Sequence, residues 1–383
     1  MLRTLAVENY RSLRRLVVPL SGLTVVTGAN GTGKSSVYRS LRLLAEASLG
    51  GAIGALAREG GLSSTLWAGP ETVSRGMRSG EVPVQGTRRT GPVALRLGFA
   101  ADELSYSIEF GLPVPSERTM FALDPEIKVE SVWSGPVLRP GTVLTERRGA
   151  DVRWRDGSGE WAHHPHRVRA YDSILSEFAD PDAAPELMAL REQLRSWRFY
   201  DHVRTDAEAP ARRLAPGTRT PVLPADGSSL AAALQTVREL GTGLDTAIDR
   251  AFPGSRLEVD DRDGWFGFAL RQPGMLRPLA AAELSDGTVR YLLWVAALLS
   301  PRPPGLLVLN EPETSLHPDL TEPLAELIAD AATRSQVVVV THSSRLAAAL
   351  ADASRIDLEK HTGETVVAGR GMLEEPPWSW PKR

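Results

Sequence analysis

Leu23-Thr24-Val25-Val26-Thr27-Gly28-Ala29-Asn30-Gly31-Thr32-Gly33-Lys34-Ser35-Ser36 is the stretch on which the reading of this 383-residue chain turns. Its first five residues are a short β-branched run of the buried-strand kind. Gly28 to Ser35 then matches G-x-x-x-x-G-K-[ST] at every fixed position, and Ser36 to Leu49 carries helical spacing through Val37, Leu41, Leu44 and Ala45. Strand, glycine loop and helix in that order are the context a phosphate-binding loop requires. The glycines Gly28, Gly31 and Gly33 let backbone N–H groups turn inward around a β-phosphate, and the helix N-terminus adds positive potential. Lys34 is placed to bridge β- and γ-phosphate oxygens, with the Ser35 hydroxyl as a Mg²⁺ ligand. Asn30, Thr32 and Ser36 complete the set facing the nucleotide. The ligand class is a nucleoside triphosphate, with ATP the default.

Composition narrows the setting. Lys+Arg is 44 and Asp+Glu 47, a net charge of −3, so any nucleic-acid surface must be a local patch. There are no cysteines, which removes disulfides, thiolate metal sites and a cysteine nucleophile. Among 40 Arg and 4 Lys, Lys34 stands out. No apolar run approaches the roughly 20 residues of a membrane span, and the N-terminus lacks a signal-peptide core. The expectation is a cytoplasmic protein with no membrane partner.

A second group of motifs lies near the C-terminus. Leu306-Leu307-Val308-Leu309-Asn310-Glu311-Pro312-Glu313 reads as a buried strand that delivers its acidic end to the mouth of a parallel sheet. Glu311 is the candidate general base for the attacking water. Asn310 stands where an Asp ordinarily holds the metal's water shell; it accepts a hydrogen bond from such a water but brings no charge. After about 25 residues, enough for a βαβ crossover, Val337-Val338-Val339-Val340 runs into Thr341-His342. That order brings His342 to the same edge, near the γ-phosphate. Leu284-Ser285-Asp286-Gly287-Thr288 opens an apolar helix, so the Ser285 hydroxyl and the Gly287 N–H can face an anion. One nucleotide does not need two such helix starts, so the second points to a nucleotide held by another copy.

Between these groups, Leu2–Val7 and Leu16–Leu20 read as strands, and Val93–Phe99 with Leu104–Phe110 as a hairpin. A β-rich stretch spans Ile127–Trp161 with turns at Arg148-Gly149 and Asp156-Gly157, and helices fall at Ile174–Phe178 and Glu186–Trp197. Residues 201–227 read as an exposed, mobile loop, and Ser228-Ser229 as a cap for a helix to Leu240. A hairpin over Leu257–Leu270 turns at Asp263-Gly264. An α/β block follows: helix 289–299, strand 305–309, helix 319–332, strand 336–340 and helix 343–351.

Taken together, these motifs resemble the ABC-type ATPase superfamily, in the RecF/SMC-like branch that includes the ATPase part of OLD-family proteins. The carrying residues are the Gly28–Ser35 loop, the Leu284–Thr288 signature, Asn310–Glu313, Ser315-Leu316-His317-Pro318 as a D-loop, and Thr341-His342 as the switch. The opening Glu8-Asn9-Tyr10-Arg11-Ser12 is similar to the N-terminal motif of RecF-type heads, in which a residue placed like Arg11 approaches the nucleotide. Gln85 is a poor match for a Q-loop glutamine, and that role stays unassigned. The resemblance implies an α/β P-loop head in two lobes. Lobe I, with a mixed β layer and a largely parallel sheet, takes 1–175 and 301–383, and the mainly helical lobe II takes 176–300. It also implies ATP and Mg²⁺ as cofactors, hydrolysis of ATP, and a homodimer closed around two ATP molecules.

Departures sharpen this. Only about 250 residues separate Lys34 from Ser285, without heptads, which excludes a long coiled-coil arm. About 40 residues follow His342, too few for an appended nuclease. Two functions remain open. One is a DNA-associated ATPase in repair, recombination or phage defence, binding double-stranded DNA through Arg14-Arg15, Arg88-Arg89, Arg147-Arg148 with Arg153 and Arg155, and Arg212-Arg213, with Trp154 and Trp161 as stacking platforms. The other is a regulatory switch controlling a separate effector such as a nuclease or toxin, with 201–227 and the Pro376–Pro381 tail as docking elements. A transporter subunit fits the RecF-like opening and β-rich middle poorly.

Overall fold

The computed structural model describes residues 1–70, 76–77, 81, 94–115, 119–165, 167–178, 184–201, 203–241, 243–369, 371 and 374–382. The chain forms two compact units, one of residues 1–21, 28–197 and 356–383, the other of 22–27 and 198–355. Gln85, Arg88 and Arg89 lie outside the described residues.

In the first unit an antiparallel eight-stranded sheet has the order β2 (Leu13–Pro19), β1 (Leu2–Tyr10), β4 (Leu95–Ala101), β5 (Leu104–Gly111), β6 (Glu126–Ser134), β7 (Val143–Arg148), β8 (Asp151–Arg155), β9 (Trp161–His163). The β4–β5 hairpin turns at Asp102-Glu103, and the later ones at the anticipated Arg148-Gly149 and Asp156-Gly157 positions. Leu5, Leu97, Phe99, Tyr106 and Phe110 are fully buried in its core. The Lys34–Ala47 helix packs on β1 and β4, and its buried Val37, Leu41 and Leu44 recur at the 3.6-residue period that one apolar face requires. β17 (Ser354–His361) and β18 (Glu364–Val367) form an antiparallel hairpin not foreseen from the sequence, with β18 beside β2.

The second unit is built on parallel pairings in the order β10 (Arg198–Tyr200), β15 (Leu306–Asn310), β16 (Gln336–Val340), β3 (Leu23–Gly28). Every residue of β15 and β16 is buried. That is why both read as unbroken apolar runs without alternation: parallel strands are covered on both faces. The helices Leu230–Leu240, Leu244–Ala251, Asp286–Leu298 and Thr321–Ala332 contribute to the same core. The anticipated hairpin appears as β12 (Arg256–Arg262) and β13 (Trp265–Arg271), joined through Asp263 (φ 54°) and Gly264 (φ 85°), the left-handed pair of a tight hairpin turn. The two-residue strands β11 (Ala215–Pro216) and β14 (Leu279–Ala280) also pair with β13.

The Asp286–Leu298 helix, β15 and β16 share one compact unit. Two expectations change. The described part of 201–227 is only partly exposed: Val203, Ala209, Ala211, Ala215 and Leu223 are buried, and Leu223 O accepts from the Tyr200 hydroxyl at 2.8 Å, whereas Arg204, Asp206–Glu208 and Pro216–Arg219 are exposed. Small apolar residues scattered among Pro and Arg fill gaps without periodicity, so no pattern announces them. Ser229 precedes the Leu230–Leu240 helix but makes no side-chain cap, because its own backbone is left-handed (φ 59°). Among the described residues no helix is long and apolar enough to cross a membrane.

Candidate functional site

The phosphate loop leaves β3 at Gly28 and enters the helix at Lys34. Gly28, Gly31 and Gly33 all have positive φ. Two of them also lack room for a side chain: at Gly28 a Cβ would meet Leu358 O at 2.3 Å, and at Gly33, with φ 104°, it would meet the Thr365 hydroxyl at 2.4 Å and the Ser12 hydroxyl at 2.9 Å. Lys34 is buried, and its Nζ donates to Gly28 O at 2.7 Å and Ala29 O at 2.9 Å. The ammonium therefore lies within the concave face of the loop. Thr32 closes the loop by donating its hydroxyl to Ala29 O at 2.8 Å. Ala29, Asn30, Gly31 and Ser35 are exposed, whereas Ser36 is buried in the first helical turn with its N–H on Gly33 O. Exposure of Ser35 at the helix start leaves its hydroxyl available to a metal; Ser36 is held by the turn.

Thr365 escaped the sequence reading. It is fully buried, its hydroxyl donates to Thr32 O at 2.7 Å and lies 2.8 Å from the Ser12 hydroxyl, and its N–H donates to Ser12 O at 2.9 Å. A threonine in a short terminal hairpin carries no motif, so nothing in the chain marks it. Because a net hydrogen bond contributes about 1 kcal/mol, Thr365→Val is expected to weaken nucleotide binding about fivefold and to lower the melting temperature by about 2–4 °C. Titration calorimetry beside a thermal melt checks this; unchanged affinity would mean the loop is held without it.

Arg11, one residue from Ser12, sits in the left-handed region (φ 52°) and pairs with Glu59, Nη2 to Oε2, at 2.6 Å. Tyr10 donates to the same carboxylate at 2.8 Å. Burial, reinforced by the Glu59 charge, pushes the Tyr10 phenol well above its usual range, so it remains a donor.

In the second unit, parallel register sets Asn310 opposite Val340 and Val340 opposite Val26. The residues that leave these strands, Glu311, Thr341 with His342, and Thr27, therefore emerge at one sheet edge, and the phosphate loop is the direct continuation of β3. Glu311 is left-handed (φ 48°), a conformation costing about 1–3 kcal/mol that clusters at functional sites. It is held there by its N–H on Val340 O at 2.7 Å and by Trp294 Nε1 donating to Pro312 O at 2.8 Å. His342 Nδ1 lies 3.4 Å from Glu311 Oε1 and 3.8 Å from Glu313 Oε1. Thr341 donates to Glu313 Oε1 at 2.5 Å, which orients that carboxylate. Glu311 and His342 are thus brought together as motif order anticipated, and Glu313 joins them. Asn310 is buried and donates Nδ2 to Asp201 Oδ1 at 2.7 Å.

Ser285 caps the Asp286–Leu298 helix, accepting from Thr288 N at 3.1 Å, and is exposed. A Cβ on Gly287 would come within 2.9 Å of Ser315 O, so this glycine permits close approach of the D-loop backbone. Arg212 braces the turn from below, donating to Leu284 O at 2.8 Å and pairing with Asp286 at 2.7 Å. Arg277, through its side-chain hydrogen bond, holds the exposed Glu283 carboxyl down to about 2, helped by the Ala280 N–H.

The described arginines of the basic clusters make contacts within the chain. Arg147 is fully buried and paired with Glu130 at 3.1 Å. Arg14 pairs with Glu364, Arg15 with Glu375, and Arg148 and Arg153 with Glu146. Arg153 and Arg155 lie over the Trp161 ring, 4.3 and 4.1 Å from its centroid, while Trp154 packs on Phe178. In the tail, Trp378 stacks on Trp133 with ring centroids 5.7 Å apart and lies where a Cβ on Gly98 would fall, so it is engaged within the chain rather than offered for docking.

A strand–loop–helix with phosphate-loop spacing, a parallel sheet edge carrying Glu311 and His342, and a serine-capped helix start belong to a P-loop NTPase head of the ABC type, of RecF/SMC-like architecture. The chain belongs to the family described as "AAA domain, putative AbiEii toxin, Type IV TA system", whose model matches residues 23–348. Among solved structures it is similar to the SmcHead bound to the C-winged helix domain of ScpA, at 14% identity and a TM-score of 0.51, with 96% of each chain covered. The Smc head domain of Pyrococcus furiosus with an extended coiled coil, bound to the C-terminal domain of ScpA, gives 12% identity and a TM-score of 0.49, covering 96% of this chain and 95% of that one. The SMC head domain from Thermotoga maritima gives 13% identity and a TM-score of 0.46, covering 97% and 99%. At these identities the likeness bears on fold alone. No curated protein matches the chain.

Proposed function

We propose that the protein binds and hydrolyses ATP with Mg²⁺, that two copies close head-to-head around the nucleotides, and that this closure acts as a switch on a separate effector protein in genome or phage defence. The observation that carries the hydrolysis reading is the convergence of Glu311 and His342 at 3.4 Å on the edge from which β3 runs into the phosphate loop. In this reading Lys34 and the loop N–H groups hold the phosphates, Glu311 orients the attacking water and takes its proton, and His342 keeps Glu311 in place. The residues this reading calls on are oxygen donors of the kind a hard cation takes: an exposed Ser35 hydroxyl in the first unit and, in the second, the buried Asn310 Oδ1, an acceptor with no hydrogen-bond partner among the described residues. Mg²⁺ would supply charge neutralisation of the phosphates. Dimerisation is supported by the exposed, capped start of the Ser285 helix, a second anion-receiving terminus on a chain that already has one.

The effector reading is favoured over direct DNA binding because the described arginines of the basic clusters are occupied by carboxylates, carbonyls and an aromatic ring. The family description, with its toxin and TA terms, supports defence rather than repair. The test is steady-state ATP turnover with and without double-stranded DNA at low and moderate salt, with Glu311→Gln and Ser285→Arg in parallel. Turnover indifferent to DNA is expected. Glu311→Gln should lose turnover yet accumulate an ATP-dependent dimer by analytical ultracentrifugation, and Ser285→Arg should bind ATP as a monomer. Salt-sensitive stimulation by DNA would return the function to the DNA-bound reading.

A further inference from the structure

We infer that Asp201 is the positioning residue that replaces the carboxylate missing at Asn310: it fixes the side-chain amide so that Oδ1 faces the metal's water shell, and it returns a negative charge to that edge. The inference rests on the Mg²⁺–nucleotide reading above and concerns only how this chain meets the cation.

Three observations carry it. β10 pairs in parallel with β15 in a register that sets Tyr200 opposite Leu309, so Asp201 leaves β10 level with Asn310 leaving β15. Asn310 Nδ2 donates to Asp201 Oδ1 at 2.7 Å. Asn310 is 5% exposed and its Oδ1 is a buried acceptor with no hydrogen-bond partner among the described residues. An ionised carboxylate only accepts hydrogen bonds, so Asp201 determines which end of the amide it meets: the NH₂ must turn to Asp201 and the carbonyl oxygen must turn away. A buried acceptor left without a donor is costly, by about 1–3 kcal/mol, and a metal-bound water would satisfy it. The functional pair is therefore one carboxylate and one amide on adjacent strand ends, with the charge moved one strand over from its usual position.

This reverses the simplest expectation for Asn310→Asp. Restoring the usual Asp would place two carboxylates in hydrogen-bonding contact, and like charges that close destabilise each other. Moving the charge back requires exchanging both residues.

The experiment measures the affinity of the full chain for ATP by titration calorimetry in EDTA and in Mg²⁺, and takes the ratio as the readout; Mn²⁺ binding followed by electron paramagnetic resonance provides a second. Positioning interactions around a metal typically contribute 10–100-fold to its affinity. Asp201→Asn is expected to lower the Mg²⁺ enhancement about tenfold while leaving affinity in EDTA unchanged. The exchange Asp201→Asn with Asn310→Asp should restore the enhancement to the parental level or above it. A purely structural role for Asp201 would lower both affinities together, and the exchange would not rescue the ratio selectively; that result overturns the inference, as does a parental ratio in Asp201→Asn. Should Asp201→Asn not fold, the exchange variant decides: it must fold and keep the enhancement, and its failure to do so counts against the pair. A parental chain that binds no ATP under either condition sinks the nucleotide reading itself and this inference with it. A parental chain with Mg²⁺ enhancement but no response to Asp201→Asn sinks only the inference.

Discussion

Lys34→Ala is expected to abolish measurable ATP binding by titration calorimetry while leaving the fold intact. The ammonium is buried in the loop and donates to Gly28 O and Ala29 O, so it is already inside the space where phosphate oxygens would exchange for those carbonyls. Hydrogen bonds to charged groups contribute about 1.5–3 kcal/mol each. Losing two of them to phosphate lowers affinity on the order of a thousandfold. Lys34→Arg keeps the charge but replaces a compact ammonium by a wide planar fork, and the cradle is too close around Nζ for that, so it should recover little. Binding by Lys34→Ala within a few-fold of the parental chain would remove Lys34 from the nucleotide site.

The largest expected effect on stability is at Glu130, far from that chemistry. Glu130 and Arg147 are both fully buried and paired at 3.1 Å. Glu130 Oε1 also accepts from the hydroxyls of Tyr106 (2.7 Å) and Ser173 (2.5 Å), and Oε2 from Ile174 N (3.0 Å). Arg147 donates in addition to Gly149 O at 2.7 Å and Arg169 O at 2.8 Å. Removing one member of a buried pair leaves an uncompensated charge and costs about 3–5 kcal/mol. At about 2–4 °C of melting temperature per kcal/mol for a body of this size, Glu130→Ala should lower the first unit's transition by about 10 °C in scanning calorimetry. Glu130→Gln, which retains several of the bonds, should fall between. A double change of Glu130 and Arg147 to apolar residues of similar volume should recover much of the loss, because it removes both desolvation penalties. A shift in Glu130→Ala of less than about 2 °C would show that Arg147 reaches water.

These two residues also mark how differently the chain discloses its features. Lys34 is legible because the phosphate loop is local: its fixed glycines, lysine and serine are set by eight consecutive residues whose backbone must curl around an anion. The same holds for β3, β15 and β16, whose continuous apolar runs follow from burial on both faces, and for the β12–β13 hairpin, whose Asp263-Gly264 turn needs left-handed backbone. Glu130 and Arg147 are the reverse case. In sequence Arg147 is one of a pair of arginines in a β-rich stretch and reads as a solvated basic patch. Only the pairing of β6 with β7, which sets Glu130 opposite Arg147, makes it an interior cation. Arg212 is the same case, since its partners at Leu284 and Asp286 lie more than seventy positions away.

By itself, then, the sequence determined the P-loop head and marked Lys34, Ser35, Glu311 and His342 as the candidates for its site, because each depends on short-range spacing around a strand end. The tertiary structure alone decided that Thr365 clamps the loop, that parts of 201–227 are buried, that Arg147 and Arg212 are bound within the chain, and that Asp201 stands level with Asn310. Those four depend on contacts between residues distant along the chain, where hydrogen-bond register and burial, not periodicity, choose the partner.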